Sequence, residues 1–483
     1  MTADKPSLII PVENQVRELD PKLLLACVAA RRGYQVFLGY RGDIDARIAA
    51  LPPAIYLSKS MTARSRKMFS ILRQLGHDIM VWDEEALVHH PPEVYFTRRL
   101  SPASIAYVSR LLAWGKDNAA LFHQYPQLPD IPVDITGNPR GDMLRPEIRP
   151  YFDEQVRACR TEYGDFILVN TNFGWVNAFV PVLNLFIPAS GGPDAEIGRG
   201  AVGMPREYAE QLRMHRQQVM EAFLDMIPRL TKAFPDHTIV VRPHPVEDPS
   251  IYHEIAAAHP GIRVVNEGNV VIWLLASRAV IHNGCTTGIE AYLLDVPALA
   301  YLPVDHDIDI NRLPNDLGYE CRSFDELASY IRRILSGEIG PADGDARCAI
   351  MDGYLEARNG PLASERIISV LDAALAQGAG PSRPAFTQRA RGWYRATKRR
   401  VKKAINSRTP GSRNSPAFHR HRYPGISLEE LVRRVNRFQG LLQDSQPLSV
   451  CMVSDHIYSI AADAVRHDDS GLPQRRGAAD AGI

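Results

Sequence analysis

Short apolar runs alternate with segments of helical period along most of the chain, and this alternation limits the possible folds more than any other feature. Strands are predicted over residues 8–11, 35–38, 54–57, 78–82 and 94–97, with helices over 21–32, 63–75 and 102–112. A second series starts at residue 165, with strands over 166–170, 238–242, 262–265, 279–282 and 298–301 and helices over 208–234, 249–259, 270–276, 287–294 and 323–335. Strands that alternate with helices form parallel sheets covered on both faces. At 483 residues the chain exceeds a single core. The expected fold is therefore α/β, with two Rossmann-like doubly wound domains over 1–160 and 161–378 facing a cleft, and a basic helical C-terminal tail over 379–483.

The net charge of +1 hides a strong asymmetry, because basic residues crowd the stretch just after residue 380. Six cysteines, Cys27, Cys159, Cys285, Cys321, Cys348 and Cys451, include no CxxC pair, which argues against structural zinc and a disulfide framework. The start of the chain lacks the charged-then-apolar plan of a signal peptide, and the longest apolar runs fall well below the roughly 20 residues that cross a bilayer. A cytoplasmic protein is expected, soluble or attached to the inner face of a membrane.

The most informative stretch is His282-Asn283-Gly284-Cys285-Thr286-Thr287-Gly288-Ile289-Glu290, which follows a predicted strand and opens a helix. Glycine lets a backbone approach a ligand, the threonines offer hydroxyls, and a helix N-terminus attracts phosphate. Glu290 is placed to accept from ribose hydroxyls. A second stretch, Arg242-Pro243-His244-Pro245, ends a strand at the carboxyl edge of the sheet, where open α/β folds bind ligands. Arg242 offers paired donors, and His244 can donate to a phosphate oxygen or protonate a leaving group.

These two motifs, together with Gly360-Pro361-Leu362-Ala363-Ser364-Glu365-Arg366-Ile367, resemble the bacterial surface-carbohydrate biosynthesis proteins. That family is similar in turn to GT-B transferases of capsule and lipopolysaccharide assembly, including Kdo transferases, CDP-glycerol glycerophosphotransferases and bacterial sialyltransferases. The resemblance implies a GT-B fold in which His244 and Thr286 or Thr287 meet the nucleotide phosphate. It adds Ser364 as a further phosphate contact, with Asn283 and Gly284 in the same donor set.

In the first half, Asp83-Glu84-Glu85 follows the strand over 78–82 and suits a base for an acceptor hydroxyl, since neighbouring carboxylates raise one another's pKa. The resemblance points the same way, with a departure: sialyltransferases of this architecture carry an acidic pair before a glycine, where this chain has Ala86. Glu84 and Asp83 are the favoured catalytic residues, Glu85 less so, with His244 as their partner. The loops Gly137-Asn138-Pro139-Arg140-Gly141-Asp142 and Asn170-Thr171-Asn172 offer Asn138, Arg140 and Asn172 to an acceptor or donor sugar. No GxGxxG follows the first strand, so NAD chemistry is disfavoured; that loop instead offers Glu13, Asn14, Gln15 and Arg17, which suit hydroxyl-rich sugars. No metal is expected, and Asp305-His306-Asp307-Ile308-Asp309 is the better of two weak candidates for one.

The tail carries Arg389, Arg391, Trp393, Tyr394, Arg395, Lys398, Arg399, Arg400, Lys402 and Lys403, which suit an anionic inner-membrane surface over residues 389–403; no nucleic-acid module accompanies them. A further amphipathic helix is predicted over 426–442, docking on the body, and the last 18 residues are expected to fray. The resulting expectation is a metal- and cofactor-independent glycosyltransferase of surface polysaccharide synthesis. It would move a nucleotide-activated sugar, with a lean to a CMP-linked acid such as Kdo or a sialic-type sugar, onto a glycan or lipid-linked acceptor. A UDP-sugar 2-epimerase and a non-catalytic assembly protein are the alternatives.

Overall fold

The computed structural model describes residues 6–463, apart from 307, 309–311 and 409–414. The first sheet contains the strands Ser7–Val12 (β1), Val36–Tyr40 (β2), Ala54–Ser58 (β3), Asp78–Val81 (β4), Arg110–Ala113 (β5) and Val133–Ile135 (β6). The second half holds Phe166–Asn170 (β7), a small hairpin of Phe186–Ile187 (β8) and Glu196–Ile197 (β9), and then Thr238–Arg242 (β10), Ile262–Val264 (β11), Ala279–His282 (β12), Ala298–Tyr301 (β13) and Tyr319–Cys321 (β14). Leu448–Ser454 (β15) and Ile457–Ala462 (β16) close the series.

The second sheet runs β11-β10-β7-β12-β13-β14, all parallel. Its winding reverses between β7 and β12, which is the ligand-binding crevice of a Rossmann sheet. The first sheet runs β15-β16-β2-β1-β3-β4-β5-β6, so its winding reverses between β1 and β3. Every residue of β1 and of β7 is buried, which is why these strands are continuous apolar runs rather than alternating ones. The α/β architecture of two doubly wound domains is the one the sequence pattern predicts.

Three elements depart from expectation. Residues 94–97 form part of the helix Pro92–Arg99, not a strand: Pro92 opens it at a position where its missing N–H costs nothing, and Val94 and Tyr95 are buried. The helix predicted over 102–112 is a short turn, Pro102–Ile105, followed by β5, because a fully buried apolar strand cannot be told from a buried helix by period. The first helix starts at Gln15 and runs through Pro21 to Arg31, so Glu18 and Lys22 become neighbours one turn apart.

The expected tail is part of the body. The helix Phe386–Asn406 lies along the helix Arg66–Leu75, and the helix Leu428–Leu441 packs on Gln15–Arg31. Strands β15 and β16, which the sequence reading omits, extend the first sheet, β16 pairing antiparallel with β2 and β15 antiparallel with β16. Their approach requires a glycine at position 39, where a Cβ would stand 2.1 Å from the carbonyl oxygen of His456. Residues 464–483, which include the last 18 expected to fray, lie outside those described.

The two halves are tied together away from the cleft. The helix Ala363–Ala376 returns to the first half, where Arg31 pairs with Glu365 at 3.2 Å and Tyr34 donates to Asp372 at 2.8 Å. Residues 177–205, whose role the sequence leaves open, hold the β8–β9 hairpin and touch the first half where Arg98 donates to the carbonyls of Gly200 and Val202.

Candidate functional site

The acidic triplet after β4 divides into two kinds of residue. The Asp83 carboxylate is buried and turned inward, where Arg99 chelates it through Nε at 2.9 Å and through Nη2, and the Tyr95 hydroxyl donates at 2.8 Å. Glu84 is also buried, accepting from Trp82 Nε1 at 2.9 Å and lying 3.5 Å from Lys22 Nζ. Both favoured catalytic residues are thus turned away from the cleft, each paired with a cation of the chain. Glu85 is the member that reaches the cleft, with its side chain 48% exposed and 3.3 Å from Arg17. Its enclosure between the halves would raise its pKa, but Arg17, Arg99, Arg140 and Lys59 outweigh that and hold it below the usual carboxylate range.

Across the cleft stands His244, exposed at the end of β10. Its ring is reachable by water, yet enough protein surrounds it that burial lowers its pKa to about 4; Arg17 lowers it further and Glu85 opposes. Those two charges belong to the first half, so the imidazole of the second half sits in their field. Nδ1 accepts from the Val246 amide at 3.3 Å, which leaves Nε2 carrying the proton of the neutral ring. The loop bearing His244 is pinned by Glu247, which is buried and was missed by sequence reasoning. Its carboxylate accepts from the His244 amide at 3.0 Å, the Phe173 amide at 2.9 Å, the Thr171 hydroxyl at 2.9 Å and the Tyr252 hydroxyl at 2.6 Å. An acidic residue three positions after the histidine was the available signal. Asn172 lies half-buried between Thr171 and Phe173 in the loop that Glu247 holds.

The His282–Glu290 stretch folds as expected of a strand-to-helix turn, with the helix at Thr286–Leu293. The ring of His282 is buried against Gly288, where a Cβ would come within 2.6 Å of it, and Gly284 takes a left-handed φ of 82°. The Gly284 amide donates to His282 Nδ1 at 3.1 Å, and burial lowers the His282 pKa to about 4. His282 therefore shapes the loop. Asn283 is buried with neither side-chain atom bonded among the described residues, and Thr286 is half-buried at the helix start. Thr287 is turned inward, where its hydroxyl and amide oppose the rise that burial imposes on the Cys285 thiol.

Beneath this turn lies Arg216, a second residue that sequence reasoning missed. It is buried, donates to the Asn283 carbonyl at 3.3 Å, and stands over the Trp175 ring 5.6 Å from its centroid. Among the described residues no carboxylate pairs with it in an ion pair, and burial lowers its pKa. Its signal was a cation on the apolar stripe of Leu212, Val219, Met220 and Phe223.

Other predicted residues are placed differently from expectation. Arg242 donates to the carbonyls of Glu267 and Gly268, both at 2.6 Å, and so braces the loop after β11. Ser364 is fully buried, and its hydroxyl and amide both donate to Asp142, at 2.7 and 2.8 Å; the chain's own carboxylate fills that helix N-terminus. Asn138 is buried as the cap of the turn Pro139–Asp142, accepting from the Arg140 amide. Arg140 and Glu290, assigned to different ligands in the sequence, meet at 2.8 Å across the two halves, and Arg140 stands over the Trp114 ring. Asp307 and Asp309 of the acidic loop lie outside the described residues.

No family model matches the sequence, and no curated protein matches it. Solved structures do. The UDP-GlcNAc 2-epimerase of Methanocaldococcus jannaschii, solved with UDP-GlcNAc and UDP, is 12% identical over 76% of this chain and 99% of that one, at a TM-score of 0.42. The wall teichoic acid polymerase TagF is 12% identical over 78% of this chain and 92% of its own, at 0.47. The S. aureus MnaA structure with UDP is 13% identical over 79% and 100%, at 0.44.

Proposed function

We propose that this chain is a glycosyltransferase of bacterial surface polysaccharide assembly that uses a nucleotide-activated sugar. One observation carries the reading: Glu85 with Arg17 from the first half and His244 from the second share the field of one cleft. Glycosyl transfer needs a carboxylate beside the acceptor hydroxyl and donors beside the departing phosphate. Glu85, ionised at neutral pH, is placed to take the hydroxyl proton. Neutral His244 offers Nε2–H to a phosphate oxygen.

The donor falls to the second half on this reading. The turn between β12 and its helix offers the Asn283 amide, the Thr286 hydroxyl and a helix N-terminus, with the buried Arg216 cation behind them. Arg17 and the Arg140–Glu290 pair lie between the two ligands, Arg17 in the field of both Glu85 and Glu290. The nucleotide is proposed to be a cytidine one, as the His244-Pro245 motif suggests. The acceptor is a glycan or a lipid-linked saccharide bound by the first half. The same acid–base pair also suits a UDP-sugar 2-epimerase, which would require no acceptor.

Calorimetry and thermal shift with CMP, CDP, UMP, UDP, GDP and NAD separate these readings, because a ligand that binds only the native state raises its stability. CMP or CDP is expected to stabilise the protein and to lose that effect in His244→Ala. A preference for UDP points to the epimerase, and no response to any nucleotide overturns the enzyme reading.

A further inference from the structure

The helix Phe386–Asn406 contains eight arginines and lysines and no acidic residue over 21 positions. One face is committed to the body. Gly392 and Ala396 are buried against the helix Arg66–Leu75, and a Cβ at Gly392 would stand 2.9 Å from Cβ of Gln74. Arg395 donates to Ser70 and Gln74, and Arg399 pairs with the buried Asp45 at 3.2 Å. Burial there, reinforced by Arg399, lowers the pKa of Lys403, which lies on the same face.

At 100° per residue the opposite face carries Phe386, Trp393, Tyr394, Val401 and Ile405, with Ala390, Ala404 and the uncharged Thr387 and Thr397 among them. These five large side chains are 84, 57, 61, 52 and 61% exposed. Arg389 and Arg400 border the stripe on one side, and Arg391, Lys398 and Lys402 on the other. A helix bound to a protein core by one face should turn polar residues to water on the other. Here the outward face is apolar and aromatic with a cationic rim.

We infer that this outward face docks on the surface of an anionic phospholipid bilayer, the helix lying in the interface plane. The charge pattern selects this occupant. Five rim cations with no acid among them complement negative headgroups, while tryptophan and tyrosine settle at the boundary between headgroup and acyl chain. A spanning arrangement is excluded for it, since no helix of the described residues is long and apolar enough to cross a membrane. Because the helix is fixed to the first half by Arg395 and Arg399, docking brings that half to the lipid surface. The inference does not depend on which reaction the cleft runs.

The test is co-sedimentation of the full chain with phosphatidylcholine vesicles, with and without about 30% phosphatidylglycerol. Binding is expected only with the anionic lipid and is expected to fall steeply with salt. Lys398→Glu/Arg400→Glu/Lys402→Glu should weaken it by about a hundredfold or more, since each basic residue near a charged surface is worth on the order of a fivefold change. Trp393→Ser/Tyr394→Ser, with all charges kept, should weaken it about tenfold or more. All five positions are exposed, so unchanged circular dichroism and melting are expected to accompany these losses. Failure to sediment with anionic vesicles at low salt overturns the inference, as does binding indifferent to both variants. Self-association or RNA retention that the aromatic variant abolishes, without vesicle binding, overturns it in favour of a second copy or a nucleic acid.

Discussion

The two sheets reverse their winding at equivalent places, yet they furnish those crevices in opposite ways. Between β1 and β3, Glu18 meets Lys22 at 2.8 Å and Lys59 at 2.7 Å, while Glu13 meets Lys59 at 3.0 Å and also pairs with Arg41 and Arg422. These charges are matched within the chain, as is that of Glu84, which pairs with Lys22 although its Oε2 accepts no hydrogen bond among the described residues. Between β7 and β12, both side-chain polar atoms of Asn283, His282 Nε2, Asn170 Oδ1 and Arg216 Nε are buried with no hydrogen-bond partner among the described residues. Burying a polar group without a partner is costly unless a ligand supplies one. The fold offers a crevice at both edges; the residues of the first neutralise one another, while those of the second leave polar groups that, on the proposed reading, a ligand would satisfy.

The largest expected effect tests the division within the acidic triplet. Glu85→Gln should lower turnover by about 10²–10⁴-fold, the usual worth of a general base, with donor affinity and melting unchanged. Asp83→Asn should instead destabilise the fold, because it breaks the buried pair with Arg99. Turnover lost only in the Asp83 variant would reverse the comparison. Glu247→Ala comes next: it leaves the His244 and Phe173 amides and two hydroxyls without their acceptor, at a cost of about 3–5 kcal/mol, read as a drop in melting temperature.

Arg216→Met should weaken nucleotide binding about tenfold to a hundredfold by calorimetry, whereas Lys59→Met should lower stability and leave that affinity alone, since its charge is spent on Glu13 and Glu18. Equal effects of the two would erase the contrast between the crevices. The smallest effect concerns acid. Burial would raise the Glu13 pKa, but Lys59, Arg41 and Arg422 overcome this and bring it from 4.5 to about 2. A depressed folded-state pKa contributes stability that is present above pH 4.5 and is lost as pH falls towards 2. Glu13→Gln should remove on the order of 2 kcal/mol at pH 7 and flatten the acid limb of an unfolding titration.

Much of the scaffold was legible in the sequence. β7, β10, β12 and β13 fall where the apolar runs put them, and the turn at Gly284 was marked by its glycine and the threonines after it. Helix and strand were confused at Val94 and at Leu111 and Leu112, since short buried segments carry no period. The hairpin of β15 and β16 was hidden because its place is decided by β2, some 400 residues earlier in the chain. Within the site, residue types and loops were readable and orientations were not. The triplet's residue types do not distinguish Glu85 from Asp83; Arg99 and Tyr95, 12 to 16 residues later, hold the latter inward. Ser364 looked like a phosphate ligand until Asp142, from a distant loop, took its hydroxyl and amide.

The sequence by itself determined two parallel α/β sheets and the loops that stand at their carboxyl edges, because hydrophobic period and glycine conformational freedom act over a few residues. Tertiary structure alone decided which carboxylate faces the cleft, that Arg140 meets Glu290 across it, that Arg216 lies under the helix turn, and that the basic helix turns its aromatic side outward. Each of these depends on which distant charge or surface a side chain meets first. Such pairings are set by packing between elements, and no local pattern records them.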